Sequence, residues 1–252
     1  MGYITKTLRP NIDTACATAY DAADILFDWT PIEIPAKGAL KLASISGTIA
    51  GTNTNVSNEL DMDLLFAVSI DGVAPTSLGT VNGATTKAAT AACRRNMIGS
   101  FFFDATKGAD SGNDLLGFNL YGFATSLNTE SIMIQGEPSE NLGGTHGYQT
   151  IYVAAMAQGA FDFGTGVTLN ETDAATLLAG GTAALDVADV DPRLVFAVGD
   201  EIIAADGALL GVIESIPSDV LINLTATHTD ALENDDEICF RQPIRLELGF
   251  EY

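Results

Sequence analysis

Cysteine and histidine are the residue types in this chain that could form a nucleophilic pair, in which an imidazole activates a neighbouring thiol. The set comprises Cys16, Cys93, Cys239, His146 and His228. Their spacing matches no nucleophile motif. The odd number of cysteines, far apart and without a C-x-x-C pair, implies no zinc ribbon and no disulfide framework. We therefore interpret the cysteines as buried structural residues and predict no catalytic residue and no enzyme activity.

One tripeptide, Asp110-Ser111-Gly112, resembles the active-site sequence of aspartic proteases. That chemistry needs two such aspartates, because the two carboxyl groups must share a proton. The chain has a single copy, which lies in a polar loop, and it lacks the G-x-S-x-G sequence that carries the nucleophile of α/β-hydrolases. The sequence therefore predicts neither class of hydrolase.

Two clusters of oxygen ligands could bind a hard cation. They are Asp104, Asp110, Asn113 and Asp114 in one loop, and Glu233, Asp235, Asp236 and Glu237 in another. Neither has the spacing with which an EF-hand loop surrounds calcium. We interpret both as solvated acidic loops and predict no metal and no cofactor. A pair of glycosidase carboxylates could be drawn from any of the 33 acidic residues, so the sequence neither shows nor excludes one.

Two other short motifs could hold an anion. The run GGTHG at residues 143–147 lacks the Lys-Ser/Thr of a phosphate loop and precedes a strand, so we expect a flexible loop there. Arg94-Arg95 is the only basic pair in the chain. It could hold a carboxylate or a phosphate, or it could be a solvated or partner-facing loop pair.

The acidic residues are concentrated in one part of the chain. Residues 162–240 contain sixteen acidic residues, one arginine and no lysine, a charge of −15. The remaining seventeen acidic and ten basic residues leave −7 for the rest of a chain whose net charge is −22. Such a charge repels phosphate, so nucleic acid and anionic membranes are not expected partners. No run approaches the ~18 apolar residues that span a bilayer, and residues 11–20 offer no apolar core of a secretory signal. We expect the protein to be made and folded in a cytoplasm, where it stays or from which it leaves within an assembly.

Outside the acidic stretch, the chain has the alternating pattern of β-strands. Residues 1–24 are interpreted as an irregular N-terminal arm, and 25–34 as a proline-interrupted strand at a sheet edge. Six apolar residues recur in strict period two over 60–71, which identifies a strand. Further strands are predicted at 40–50, 97–103, 115–123, 131–135 and 148–157, with a short helix at 86–92. The strand at 97–103 would have both faces covered, or one face left for a partner.

Within the acidic stretch, five short strands follow a helical signal at 171–181. The strands are predicted at 183–187, 201–205, 209–216, 220–225 and 237–240. Five short strands in so few residues fit a small barrel, which closes its own edges. The regular alternation over 244–252 predicts a last strand that completes the first sheet system. We therefore predict an all-β fold: an antiparallel, jelly-roll-like β-sandwich (25–161 plus 241–252) with an inserted small acidic β-barrel (162–240).

Several strings in the chain resemble virion structural proteins of tailed bacteriophages. They are Asp191-Pro192-Arg193, FAVGDEI at 196–202, GVIESI at 211–216, LENDDEICF at 232–240, the strand region 60–83 and the closing QPIRLELGFEY at 242–252. The resemblance implies a capsid decoration or cement protein, located in the virion, whose partners are a major capsid protein or another virion protein and further copies of itself. A low-charge scaffold and an acidic outward surface would suit such a protein.

Two alternatives stay open at this point. The same resemblance would suit a tail or fibre component. A carbohydrate-binding or carbohydrate-cleaving β-sandwich would need exposed aromatic residues on a concave face. The single tryptophan, Trp29, lies instead in a proline-flanked strand whose pattern indicates a core position.

Overall fold

The computed structural model of the protein describes most of the chain. The residues described are 2–14, 19–35, 39–52, 60–104, 109–110, 115–121, 132–134, 148–164, 166–170, 184–188, 190–226, 232 and 235–252. In this part of the chain, no helix is long and apolar enough to cross a membrane.

The described residues form sixteen strands, one α-helix and a 3-10 turn at Pro192–Leu194. The bounds are β1 Tyr3–Leu8, β2 Ile25–Pro35, β3 Leu40–Ala50, β4 Met62–Val68, α1 Lys87–Cys93, β5 Met97–Phe103, β6 Ala109–Asp110, β7 Leu115–Tyr121, β8 Met133–Ile134, β9 Tyr148–Ala157, β10 Val167–Thr168, β11 Ala184–Asp186, β12 Glu201–Ala204, β13 Leu209–Ser218, β14 Leu221–Leu224, β15 Glu237–Phe240 and β16 Ile244–Glu251.

Two antiparallel sheets form a β-sandwich with the strand order of a jelly roll. Sheet 1 runs β1-β16-β3-β7-β6, with β8 also paired to β3, and sheet 2 runs β2-β9-β4-β5. When β1 to β5, β7, β9 and β16 are counted one to eight, the two sheets read 1-8-3-6 and 2-7-4-5, which is the eight-strand jelly-roll arrangement. The predicted all-β, jelly-roll-like sandwich is confirmed.

The core of the sandwich comes from alternate residues of strands in the facing sheets. On β4 of sheet 2, Leu64 and Phe66 are fully buried, and on β16 of sheet 1, Leu246, Leu248 and Phe250 are fully buried. These side chains belong to one continuous apolar cluster. Successive side chains of a strand point to opposite faces, so strict alternation commits one face of each strand to this core.

The chain between β4 and β5 covers the outer face of sheet 2. It contains α1, which starts at the N-cap Thr86, whose Oγ1 accepts a hydrogen bond from the Ala89 amide at 3.1 Å. Cys93, in the last turn of α1, is buried against Leu65 of β4 in a small second apolar cluster. Sheet 2 is therefore covered on both faces over part of its area, and the helix predicted at 86–92 is confirmed.

The acidic stretch forms a closed barrel between β9 and β16. Its strands run β10-β15-β12-β13-β14-β11. A bridge between Leu169 and Val187 joins the first strand to the last, with the Asn170 amide 3.0 Å from the Asp186 carbonyl oxygen. The barrel has its own apolar core, which includes Ile202, Ile213, Ile222 and other fully buried residues. The predicted inserted barrel is confirmed as part of the fold, with six strands and not five.

The barrel is joined to the sandwich by packing and by hydrogen bonds. Ile203 of β12 and Cys239 of β15 belong to the sandwich core and not to the barrel core. The buried Thr52, which follows β3, donates its amide to the Phe163 carbonyl oxygen at 2.7 Å and accepts the Phe240 amide on its Oγ1 at 3.3 Å. Because β12 and β15 each contribute a side chain to the sandwich core, the barrel is seated directly on the sandwich.

Three sequence predictions about secondary structure need comment. Residues 1–24 are not irregular throughout, because Tyr3–Leu8 is the edge strand of sheet 1 and pairs with β16. Lys6 interrupts the apolar face of Ile4 and Leu8, and this hides the alternation. The two-residue β10 was not predicted, since no pattern can be read from so short a strand. The helical signal at 171–181 lies outside the described residues, and the domain boundaries at 24, 161 and 241 stay predictions.

Candidate interaction surfaces

The described acidic side chains of the barrel lie outside its apolar core. Among the described residues of the barrel, the exposed acids are Asp186, Asp206, Glu214, Asp219 and Asp235. The only base of the stretch, Arg193, is held by Asp191, with Nη2 to Oδ2 at 2.7 Å and Nε to Oδ1 at 2.8 Å. This hydrogen bond lowers the pKa of Asp191. Arg193 thus neutralises one carboxylate and leaves the barrel surface strongly negative.

Several of these carboxylates have structural partners within their own turns. Asp162 accepts the Gly164 amide at 2.9 Å, Asp200 accepts the Ala197 amide at 2.8 Å, and Asp206 accepts the Ala208 amide at 3.0 Å. Short Asp side chains favour turns because they bond to nearby backbone amides in this way. Part of the acidity of the barrel is therefore explained by its many tight turns, and these aspartates do not converge on a common ligand.

Arg241, between β15 and β16, ties the barrel to the N-terminal segment of the sandwich. Its Nε donates to Asp13 Oδ1 at 2.7 Å, and its Nη1 donates to Glu201 Oε2 at 3.1 Å. Its backbone bonds in both directions as well, with the Ile12 amide at 2.8 Å and the Glu201 carbonyl oxygen at 2.9 Å. The two carboxylates raise the pKa of Arg241, mainly through the Asp13 hydrogen bond. One side chain thus links residues from three distant parts of the chain.

Gly207 adds a close approach at the same joint. It has a φ of 90°, which favours glycine, and a Cβ there would have no room beside the Asp13 carbonyl group. The hairpin between β12 and β13 therefore packs directly on the N-terminal segment. This contact and Arg241 together join the barrel to the N-terminal segment at two points.

The outer face of sheet 1 is polar, and its charges are paired. Thr7 Oγ1 donates to Glu247 Oε1 at 2.8 Å, and Arg245 Nη2 donates to the same oxygen at 2.7 Å. Partial burial acts in the opposite direction, but these bonds lower the pKa of Glu247. Lys41 Nζ lies 3.6 Å from Glu251 Oε2. Ion pairs of this exposed kind contribute little to stability, and they leave this face close to neutral.

The covering of sheet 2 has the opposite charge from the barrel. Residues 72–103 contain no acidic residue and three bases, Lys87, Arg94 and Arg95. All three are exposed, and none of their charged groups has an ion-pair or hydrogen-bond partner within the described part of the chain. β5 follows directly and forms an edge of sheet 2, since it pairs only with β4 among the described strands. We call Lys87, Arg94, Arg95 and the β5 edge the basic face.

An aromatic residue is exposed on the basic face. Phe101 and Phe103 of β5 point into the sandwich core, whereas Phe102 points outward and is 48% exposed. Of the two predicted arrangements for this strand, the structure shows the one that leaves a face open. In the sequence, Arg94-Arg95 stands out only as a basic pair. The structure adds that, among the described residues, these side chains lack the carboxylate partners that Arg193, Arg241 and Arg245 have.

The cysteines have structural environments. Cys93 is a free, fully buried thiol, and burial raises its pKa, so it stays protonated and is not a nucleophile. Cys239 is buried and disulfide-bonded, so the prediction that the cysteines form no disulfide is wrong for this residue. Disulfide pairing depends on distances set by the tertiary fold, and sequence spacing does not report these. Cys16, His146 and His228 lie outside the described residues.

The predicted ligand clusters are described only in part. Within the described residues, no group of three or more His, Cys, Asp or Glu side chains could hold a metal ion. Ser111, Gly112, Asn113, Asp114, Glu233 and the glycine-rich run 143–147 lie outside those residues, and Asp110 is placed in β6 by its backbone alone. The solvated-loop interpretation of both clusters therefore stays a prediction.

Trp29 has a structural partner, which bears on carbohydrate binding. Its Nε1 donates to the Thr76 carbonyl oxygen at 3.0 Å, and its ring packs against the small cluster on the outer face of sheet 2. Asp28 Oδ1 accepts the Leu78 amide at 3.0 Å beside it. Trp29 fastens the covering segment to the sheet and is not an open stacking platform.

Comparison with known proteins gives little further information. No protein-family model and no curated protein matches the chain. Two solved structures show a distant likeness, "Structure of infectious bursal disease virus Gx strain" at 11% identity and a TM-score of 0.24, and "Crystal structure of infectious bursal disease virus VP2 subviral particle" at 10% identity and 0.22. They cover 98% and 99% of this chain, which spans 40% and 41% of theirs. At such TM-scores the likeness carries no argument about function.

Proposed function

We propose that this protein is a non-enzymatic structural component of a virus particle, where it decorates or cements the capsid as an oligomer. The observation that carries the proposal is the division of the molecule into a jelly-roll sandwich of low charge and a strongly acidic barrel packed against it. Jelly rolls occur in viral capsid proteins, lectins and cupins. The fold alone does not select among these functions.

The charge distribution is suited to a protein that attaches through one part and projects another. The barrel carries the larger share of the negative charge, with its described acidic side chains on the outside. A surface of one sign keeps particles soluble and apart through mutual repulsion. A closed barrel also has no free strand edge that could recruit strands from other molecules. The projecting part is therefore a poor docking surface for acidic neighbours.

The sandwich, in contrast, has features of a docking scaffold. Within the described residues, β1 and β5 are edge strands paired on one side only, and exposed strand edges can pair with another chain. Tyr3 on β1 and Phe102 on β5 are exposed aromatic residues at these edges, and aromatic residues are enriched in protein–protein contacts. These features support attachment through the sandwich to a capsid protein or to further copies of the chain.

The roles of the chemically capable residues support a structural function. Cys93 is a protonated, buried thiol, and Cys239 is disulfide-bonded. The carboxylates of Asp162, Asp200 and Asp206 cap turns. Trp29 fastens a covering segment, which weakens the alternative of a carbohydrate-binding sandwich.

Quantitative mass spectrometry of purified particles of the source virus tests the proposal. We expect peptides of this chain at a copy number comparable to that of the major capsid protein or at a fixed fraction of it. One to a few copies per particle would indicate a tail or fibre component and contradict decoration. Absence from particles would overturn the virion assignment. Binding on a glycan array without any capsid partner would favour the carbohydrate-binding alternative.

A further inference from the structure

We propose that the basic face of one copy binds the acidic barrel of a second copy, so that the copies associate head to tail. The inference deepens the proposed function and rests on it for the setting of an oligomeric assembly. Its own basis is that each molecule carries two surfaces of opposite charge.

The first observation is the unusual electrostatics of the basic face. The chain has three times as many acidic as basic residues, 33 against 11, yet residues 72–103 contain no acid. In the rest of the described chain, Lys41, Arg193, Arg241 and Arg245 have a carboxylate partner within 4.0 Å, whereas Lys6 and Arg9 have none. Lys87, Arg94 and Arg95 also have no such partner among the described residues, and they differ from Lys6 and Arg9 in lying together in a segment without an acidic residue.

The second observation is that the basic face is held in place by the fold. Asn96 Nδ2 donates to the Val68 carbonyl oxygen at 2.9 Å, and the Val68 amide donates to the Asn96 carbonyl oxygen at 2.9 Å. Cys93 anchors the preceding helix in the apolar cluster beneath it. The backbone that carries Arg94 and Arg95 is therefore fixed at both ends, which limits the entropy lost on binding.

The third observation concerns the occupant. Glu214 and Asp219 are exposed on the β13–β14 side of the barrel, and Asp219 is followed by Val220, which is 49% exposed. The barrel therefore offers carboxylates and an exposed apolar side chain, and the basic face offers bases and, further along β5, the exposed Phe102. The barrel edge is closed, so the contact is made by side chains and not by strand addition. The acidic barrel of a second copy thus supplies carboxylates for the bases of the basic face and an apolar side chain for Phe102.

The net charge of −22 does not prevent such a contact at physiological salt. The Debye length is about 8 Å at physiological ionic strength, so each copy responds mainly to the charges next to the contact. At low ionic strength the net repulsion extends further, and at about 1 M salt, where the Debye length is about 3 Å, the local attraction is screened. Self-association should therefore be strongest at intermediate salt.

A head-to-tail contact uses two different surfaces of each copy. Such an interface generates a closed ring if the rotation between copies closes, and an open chain if it does not. A closed ring would give one discrete oligomer at all concentrations above the dissociation constant.

Sedimentation velocity and native mass spectrometry on the full chain test this inference. We expect the unaltered protein to self-associate near 0.15 M salt, and Arg94→Glu with Arg95→Glu to weaken the association by at least about tenfold, because like charges at a contact are strongly unfavourable. The matched control, Arg9→Glu with Arg245→Glu, makes the same change in net charge at two exposed residues outside the basic face and should associate normally. Arg94→Gln with Arg95→Gln gives a milder variant, and circular dichroism verifies folding.

The decisive experiment reverses the charges of both surfaces, each in a separate variant, and mixes the two variants. The barrel variant Glu214→Lys with Asp219→Lys should also fail to associate alone, and mixing it with the Arg94→Glu, Arg95→Glu variant should restore assembly in trans. Equal loss in the Arg9, Arg245 control, or no restoration on mixing, would overturn the inference. A monomer at all salt concentrations would overturn it too, while leaving virion incorporation unaffected. Loss of the Arg94, Arg95 variant from particles in that case would assign the basic face to an acidic capsid protein.

Discussion

Arg241 and Asp13 form an ion pair with 2.7 Å between Nε and Oδ1, although 228 residues separate them in the chain. The pair joins the segment after the first strand to the exit of the barrel, and Glu201 extends it into the barrel wall at 3.1 Å. The orientation of the acidic barrel thus depends on a contact that involves three distant segments. An account in which the barrel projects in a fixed direction requires this joint to be rigid.

Replacement of Arg241 by alanine should destabilise the joint. Two carboxylates lose their partner, but Asp13 is half exposed, so the expected loss is about 1 kcal/mol in the free energy of unfolding. Arg241→Lys should recover only part of it, because a lysine ammonium cannot reproduce the forked donor geometry. Urea unfolding monitored by circular dichroism measures both variants. Arg193→Ala is the control, since its exposed pair with Asp191 lies within one turn and should be dispensable; an equal effect there would show that the joint has no special role.

Replacement of Gly249 by alanine should loosen β1 from sheet 1. The Tyr3 hydroxyl lies 2.7 Å from Ser44 Oγ and passes over Gly249, where a Cβ has no room. Overpacking of this kind typically costs about 1–3 kcal/mol. Thermal unfolding of Gly249→Ala, Tyr3→Ala and the double variant forms a double-mutant cycle. We expect the alanine to cost less once the Tyr3 ring is removed, with Ser44 Oγ as the remaining close neighbour, and strictly additive effects would contradict the proposed contact.

The two buried cysteines should differ in reactivity. Cys93 should be alkylated slowly in the native state, because burial raises its pKa and shields it, and quickly after denaturation without a reductant. Cys239 should react only after both denaturation and reduction, because it is disulfide-bonded. Peptide mapping by mass spectrometry distinguishes the two residues. Alkylation of Cys239 before reduction would show that the disulfide is absent from the protein.

Asp63 should make the free energy of unfolding fall as pH rises, which is opposite to the usual effect of a carboxylate. Burial raises its pKa above 3.8, and the 2.6 Å hydrogen bond from Gln158 Nε2 only partly opposes this. A raised pKa means that the folded state binds the proton more tightly than the unfolded state. Between the ordinary and the raised value, stability therefore falls as pH rises. Asp63→Asn should be more stable than the unaltered protein at pH 7, by a margin that shrinks as pH is lowered through this range.

Glu247 supplies the matched control for that measurement. Its pKa is lowered in the folded state, so its contribution is present above the ordinary carboxyl pKa and is lost as pH falls through the lowered value. Glu247→Gln should therefore be less stable than the unaltered protein at pH 7 and should match it in strong acid. The two variants should have opposite signs in urea unfolding at pH 7. The same sign for both would refute the assignment of one or the other pKa shift.

The main strands could be predicted because the alternation of apolar and polar residues within each segment identifies them. The alternation from Leu60 to Ile70 and from Ile244 to Phe250 has period two, and those segments became β4, at the centre of sheet 2, and β16, between β1 and β3. Trp29, in the proline-interrupted edge strand, was expected to be core-like, but it is only partly buried and packs against the small cluster on the outer face of sheet 2. The first strand was missed because Lys6 occupies a position on its apolar face.

The candidate surfaces were predictable only where charge counts decide them. The acidity of residues 162–240 needs no structure to be seen, and strands β10 to β15 lie within that stretch. The pairing of Arg241 with Asp13, the disulfide of Cys239 and the crossing of Tyr3 over Gly249 all depend on contacts between distant segments. Local sequence patterns do not encode such distances. Whether Arg94 and Arg95 were paired or free could likewise be decided only from the packing around them.

The most direct test of the proposed function is an electron cryo-microscopy map of the intact virus particle. The account predicts density for the jelly-roll sandwich on the capsid surface, repeated at many positions, with the acidic barrel pointing away from the shell. A map in which the barrel faces the shell, or in which the protein is absent from the capsid and occupies a single vertex, would contradict it.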